Sequence, residues 1–260
     1  MPRALPSFPF WCTHLLRLHY QESEQVCLCK FNLYLSDKRS CTCAHFRIVL
    51  LTALFGTSVA FKGLDTIQKL STDNFRCLKD NGFTFYIGRV WKSTGNYDME
   101  GMQNMKNAHE AGFEVSAYIF PCLAKHCAPP QNQVEATINR LRSEGVPFDT
   151  VYLDIEIFRW PNDHAANRNT INAMGNKLDG MGVDWGIYTN KNNWKSIVGS
   201  EYDQWKHKKL WWAYWGMNDG TRRGEFSPFG GWSNFYIQQY AGDFNGPCGV
   251  NLDLNFIRLD

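Results

Sequence analysis

The stretch VYLDIEIFRW, residues 151–160, decides how this chain is read, because it sets Asp154 and Glu156 two positions apart in an otherwise apolar run. Short, β-branched and flanked by polar sequence, it reads as a buried strand. Successive side chains of a strand point to opposite faces, so Asp154 and Glu156 share one face. Val151, Leu153, Ile155 and Ile157 fill the other, the face expected to pack under helices. Adjacent buried carboxylates raise each other's pKa, and one of them can stay protonated near neutral pH as a general acid. Glycosidic bond cleavage needs such an acid, since the sugar oxygen leaves poorly unless protonated. The plainer reading is that the two acids pair with Arg89 or Arg159, or bind a divalent ion.

Outward from this strand, short apolar runs alternate with helix-compatible stretches through residues 61–260. FKGLDTIQ leads to TDNFRCLKDNG, whose Asn81-Gly82 is a helix stop, and FTFYIGRVW leads to MEGMQNMKNAHEAG, closed by Gly112. VSAYIFPC, VEATINRLRSEG, VYLDIEIF, HAANRNTINAMGNKLDGMG and DWGIYTN continue the pattern. KLWWAYW, FYIQQYAG and VNLDLNF then follow with mostly loops between them. About eight strands, the first five alternating with helices, imply parallel βαβ units in a compact α/β barrel, with chemistry at the C-terminal strand ends. Asp65 in the first strand and Asp253 in the last stand isolated among apolar neighbours. In a closed barrel those two strands are adjacent, so both acids can converge on the central pair.

The set GLDTIQ, AYIFPC, YLDIE, GIYTN, LWWAYW, QQY and VNLDLN, in this order over residues 61–260, resembles the glycoside hydrolase family 25 lysozymes, in the branch found in nematodes and amoebae. The resemblance implies an irregular (β/α)5(β)3 TIM-like barrel that cleaves the β-1,4 bond between N-acetylmuramic acid and N-acetylglucosamine in bacterial peptidoglycan. By the same resemblance Glu156 is the general acid, and Asp154 orients the substrate's 2-acetamido group, whose carbonyl acts as nucleophile through an oxazoline-like intermediate with net retention. Asp65 and Asp253 match the family's first-strand and last-strand acids. Tyr118, Tyr188, Trp211 and Tyr240 match its aromatic positions at strand ends, where rings stack on sugars, while Trp212 and Trp215 are expected in the core. Ile119 stands where many members have His, and FYIGRVW departs from the usual second strand.

Two other functions are compatible with the residues. One is a non-catalytic saccharide-binding or regulatory protein on the same fold. The other is a chitinase-like hydrolase, since Asp149, Asp154 and Glu156 fit three acids of a D-x-x-D-x-D-x-E pattern that has Tyr152 at the missing place.

Composition bounds the remaining classes. The 260 residues are 44% hydrophobic and 15% aromatic, enough for a large core. The formal charge is +2, and residues 61–260 hold 21 Lys/Arg against 22 Asp/Glu, so nucleic acid is not an expected partner. No nucleotide loop, zincin helix or nucleophile elbow occurs, and no cofactor is expected. Residues 46–60, FRIVLLTALFGTSVA, read as a signal peptide cleaved after Ala60, too short to span a bilayer. Residues 1–45, with Cys12, Cys27, Cys29, Cys41 and Cys43, form a leader expected to be absent from the mature protein; a cysteine-bonded or zinc-binding prodomain is the rival reading. Residues 61–260 are then the catalytic domain of a secreted monomer without stable membrane association, working extracellularly, in a gut lumen or in lysosome-like vesicles. Its cysteines, Cys77, Cys122, Cys127 and Cys248, suggest two disulfides with three connectivities open, one of them a small Cys122–Cys127 loop that leaves Cys77 to Cys248.

Overall fold

The computed structural model describes residues 60–215 and 226–258. The leader and nearly all of the signal-like segment lie outside them. The elements run in chain order β1 (Ala60–Asp65), α1 (Thr72–Asp80), β2 (Phe83–Lys92), β3 (Asn96–Tyr97), α2 (Met99–Glu110), β4 (Glu114–Ile119), α3 (Pro130–Ser143), β5 (Val151–Asp154), α4 (His164–Gly180), β6 (Trp185–Thr189), α5 (Lys191–Val198), β7 (Lys209–Ala213), β8 (Ile237–Asn245) and β9 (Asn251–Arg258). The strands are hydrogen-bonded in the order β1-β9-β8-β7-β6-β5-β4-β2-β3, and β1 also pairs with β2. That last pairing closes an eight-stranded barrel and leaves β3 as a two-residue return on β2. Helices follow the first five barrel strands, and among the described residues only a three-residue 3-10 turn, Pro247–Gly249, lies between the last three, as the (β/α)5(β)3 pattern requires.

Local chemistry sets the helix ends. Ser71 caps α1 in a capping box with Asn74, and the side chains of Asp98, Asp163 and Asn190 cap α2, α4 and α5. Asn81 and Gly82 end α1 and Gly112 follows α2, both glycines at positive φ. Helix α5 is only eight residues long, too short for its apolar face to stand out in sequence; it buries Trp194, Ile197 and Val198.

Two cores result. Helices and outer strand faces share the larger one, built from residues such as Leu78, Met105, Ile138, Leu153, Met174 and Trp185. Inside the barrel a smaller cluster of Phe85, Ile87, Tyr118, Tyr152, Tyr188, Trp211, Ile237 and Ile257 fills the lumen. Disulfides join Cys77 to Cys248, tying α1 to the turn before β9, and Cys122 to Cys127 in the loop after β4.

Six of the eight ring pairings are parallel, but β9 runs antiparallel to both neighbours. This reversal matters for the site. The beginning of β9 lies beside the C-terminal end of β1, and Asp65 and Asp253 are direct register partners.

Candidate active site

Strand β5 is shorter than the apolar run suggests and ends at Asp154. Pairing nevertheless carries past it: the Ile155 N–H donates to the Tyr188 carbonyl at 2.8 Å, and the Thr189 hydroxyl donates to the Ile155 carbonyl at 2.6 Å. Glu156 is thereby held on the same side as Asp154. Val151, Leu153 and Ile155 occupy the outer core as alternation predicts, but Ile157 does not; the chain has left the sheet there, and its side chain is 55% exposed.

A cavity of about 240 Å³ at the C-terminal mouth of the barrel is lined by Asp65, Asp154, Glu156 and Asp253, together with Arg89, Tyr118, Phe120, Tyr188, Trp211, Trp215 and Gln239. All four acids singled out from sequence therefore meet in one place. Glu156, Tyr188 and Trp215 also border a larger neighbouring cavity of about 560 Å³ with Asn190, Lys191, Asn193 and Tyr214. Glu156 is the one acid common to both.

The four carboxylates are not equivalent. Asp65 is buried, and its Oδ1 accepts from Asn255 Nδ2 at 2.7 Å and Gln239 Nε2 at 2.9 Å. Asp253 accepts the Asp243 N–H at 2.8 Å and Gln239 Nε2 at 3.3 Å. Asp243 sits at φ +52° beside an irregularity in the β8–β9 pairing, and this conformation turns its N–H toward Asp253. Gln239 is saturated: its amide nitrogen serves both acids, and its oxygen accepts Tyr188 Oη at 2.8 Å and Trp215 Nε1 at 2.9 Å. Asp154, by contrast, is buried with no hydrogen-bond partner on Oδ1.

Every one of these acids is pushed above the ordinary carboxylate range. Burial is the largest cause for Asp65, reinforced by Asp253 and opposed by the bonds from Asn255 and Gln239. Burial also leads for Asp154, followed by the charges of Glu156 and Asp65, with Arg89 opposing. Glu156 is raised by burial and Asp253, and Asp253 by burial against the stabilising Asp243 N–H. Like charges this close cannot all ionise, so the cluster retains protons where an isolated carboxylate would not. Such a cluster can donate a proton while leaving a second carboxylate to orient a substrate dipole.

Among the aromatic positions, Tyr118 and Tyr188 line the cavity at 9% exposure each. Trp211 lies beneath them as a floor, 2% exposed, with its ring 4.5 Å from Tyr188 and its indole N–H given to Asn255 Oδ1 at 2.8 Å. Tyr240 is not brought to the cavity. Its neighbour Gln239 faces inward, so alternation sends Tyr240 to the outer core, where its ring meets Phe256. Trp212 is buried against Phe226 and Phe235 as expected, with part of its side chain on the larger cavity, whereas Trp215 is 53% exposed and borders both cavities, which corrects its reading as core. Gln239 and Asn255 carry no distinctive signal in sequence, being amides in apolar strands; their inward register, two residues from Ile237 and Asp253, is the clue that the sequence offers.

Among the described residues neither arginine forms an ion pair with Asp154 or Glu156, although Arg89 lines the same cavity. Arg89 bonds Asp98 and Arg159 lies over the Phe158 ring. Cys122, His126 and Cys127 have ligand atoms within 4.8 Å of one another, but both sulfurs are consumed in a disulfide rather than free as thiolates. In the chitinase-like pattern, Asp149 is exposed at the opposite end of β5 and Tyr152 is buried in the lumen, so neither joins the acids. No helix among the described residues is long and apolar enough to cross a membrane.

A family model described as Lysozyme-like protein 1 matches residues 57–240. Lysozyme-like protein 5 of Caenorhabditis elegans is 43% identical over 215 residues, covering 82% of this chain and 99% of its own. Probable GH family 25 lysozyme 4 of Dictyostelium discoideum is 37% identical over 211 residues, covering 80% and 96%. The solved structure of a family GH25 lysozyme from Aspergillus fumigatus superposes with a TM-score of 0.60 at 16% identity, over 78% of this chain and 95% of that one, a likeness of fold. With these relatives, a closed (β/α)5(β)3 barrel and four acids gathered at its mouth, the chain belongs to the glycoside hydrolase family 25 lysozymes.

Proposed function

We propose that this glycoside hydrolase is a secreted muramidase that hydrolyses the β-1,4 bond between N-acetylmuramic acid and N-acetylglucosamine in bacterial peptidoglycan, in defence against bacteria or in their digestion. The observation that carries the reading is the orphan Oδ1 of Asp154, buried in the acid-lined cavity beside Glu156. An unpartnered buried carboxylate oxygen is costly, and a substrate N–H would relieve it. The 2-acetamido group of muramic acid offers such an N–H.

The two cavities support an assignment of the sugars. The ring that reacts sits in the inner cavity, its acetamido N–H donating to Asp154 and its carbonyl oxygen turned toward the anomeric carbon. The leaving sugar occupies the outer cavity, and Glu156 at the junction protonates the oxygen between them. Attack by the acetamido carbonyl forms an oxazoline-like ring as the leaving sugar departs with the proton from Glu156, and water opens that ring with net retention, giving a proton to the Glu156 carboxylate. Asp65 and Asp253 hold the cluster's charge, and Tyr118 and Tyr188 meet the sugar's apolar face. Two disulfides support an oxidising compartment and hence export.

Digestion of purified peptidoglycan by the full chain, with identification of the new reducing sugar, tests this reading. Muramic acid at the reducing end is expected; glucosamine at that end, or cleavage of chitin oligomers alone, refutes it, and binding without cleavage makes the chain a saccharide-binding protein.

A further inference from the structure

Along the lumen face of β2, Phe85 and Ile87 belong to the inner apolar cluster, and the next inward residue is Arg89. It stands one inward step beyond Ile87, the register partner of Asp65, and pairs in register with Tyr118. Among the described residues lining the acid cavity, Arg89 alone is cationic. A lone guanidinium among four carboxylates is in a position to decide which of them ionises.

Arg89 is also held from behind. Its Nε donates to Asp98 Oδ2 at 2.6 Å, and the Asp98 side chain is 7% exposed. Asp98 caps α2, accepting the Gly101 N–H on its other oxygen at 3.3 Å, while its own N–H donates to the Val90 carbonyl at 2.9 Å. The route back to β2 is the two-residue strand β3, reached through a turn with Gly95 at φ +85°. Gly101 completes the approach: a Cβ there would come 1.8 Å from the Arg89 carbonyl oxygen, so only glycine lets α2 start this close to β2. The hairpin, the cap and the glycine all serve to place one carboxylate behind one guanidinium.

We propose that Arg89, braced by Asp98, is a positioning residue that supplies the positive charge against which Asp154 stays ionised for substrate orientation. The proposal rests on the muramidase reading given above. The charged and titratable groups surrounding Asp154 are Asp65 on β1, Arg89 on β2, Tyr118 on β4, Glu156 after β5, Tyr188 on β6 and Asp253 on β9. Glu156 and Asp65 oppose its ionisation through their charge, and Arg89 favours it, in line with the direction of its effect on Asp154. Asp98 fixes the guanidinium without reaching the cavity, as its absence from the lining indicates. A clamp between β2 and α2 would require none of this charge logic.

The test is kcat/KM against pH on peptidoglycan for the full chain and for Arg89→Met, Arg89→Lys and Asp98→Asn. With Arg89→Met the acid limb moves up by about one pH unit and kcat falls about tenfold, with KM little changed; Arg89→Lys restores the limb, and Asp98→Asn shifts it by less in the same direction. An acid limb unmoved in Arg89→Met, with only a lowered Tm, reduces Arg89 to a clamp and overturns the proposal. Carboxyl 13C titration of Asp154 in the full chain gives a readout independent of turnover and of whether Arg89→Met folds: an apparent pKa unchanged in Asp98→Asn, and in Arg89→Met where that variant folds, also overturns it. If the wild type cleaves no peptidoglycan, the muramidase reading fails, and the titration alone still decides the role of Arg89.

Discussion

The carboxylates at the end of β5 and those shared by β1 and β9 face one another across the same cavity, yet the protein treats them oppositely. Asp65 and Asp253 receive four hydrogen bonds, from Asn255, Gln239 and the Asp243 amide. Asp154 keeps an oxygen with no partner, and Glu156 borders open space on two sides. Satisfied groups are rigid parts of the scaffold; the unsatisfied ones are left for the substrate. The difference separates acids that hold charge from acids that act on a bond.

If that division is right, the largest effect falls on Glu156. Glu156→Gln is expected to lower the release of reducing ends from peptidoglycan by about a hundredfold or more, roughly 2.7 kcal/mol of barrier, with the thermal midpoint nearly unchanged. Full activity in that variant would dissolve the distinction altogether.

On the partnered side the expected loss is of stability. Gln239→Leu removes four hydrogen bonds and leaves Tyr188, Trp215 and the two aspartates short of partners, so unfolding free energy should drop by about 2 kcal/mol, or roughly 4–8 °C in Tm for a domain of this size. Calorimetry checks this, and an unchanged midpoint would mean that water replaces the amide at no cost.

Asp154→Asn should go the other way. Replacing a buried, charge-crowded acid with a neutral isostere removes repulsion from Glu156 and Asp65, and Tm at pH 7 should rise by roughly 2–4 °C, equivalent to about 1 kcal/mol, while turnover is lost. A lowered Tm would show that Asp154 supports the fold after all.

The pH dependence of stability follows with a definite sign. The four acids have folded pKa values above their unfolded ones, so the native state binds more protons between the two. Their contribution is fully present below the unfolded carboxylate range of about 4 and is lost as pH rises through the raised folded values. Denaturant unfolding at a series of pH values should show stability falling from acid toward neutral pH, with a shallower fall in Asp154→Asn; a parallel curve would place the raised pKa elsewhere.

Much of this division was legible from residue patterns. Period-two alternation put Asp154 and Glu156 on one face, and ring closure made the first and last strands neighbours, because both follow from backbone geometry alone; the antiparallel run of β9 that sets Asp253 beside Asp65 has no mark in the residues. What escaped depended on where strands stop and bulge. Ile157 and Trp215 lie just past strand ends, where alternation no longer dictates burial, and the Asp243 amide is presented by an irregularity that no local residue choice announces. Tyr240 shows the cost of a single position: the QQY motif matched a family site, yet the inward residue is Gln239.

The most direct test of the division compares full-chain wild type, Asp154→Asn and Asp65→Asn on peptidoglycan with and without the muramic N-acetyl group. If Asp154 orients that group, de-N-acetylation slows the wild type by about a hundredfold or more, Asp154→Asn is slow on both substrates and loses little further, and Asp65→Asn keeps the full acetyl dependence. Equal cleavage of both substrates by the wild type, or an undiminished acetyl dependence in Asp154→Asn, would contradict the account.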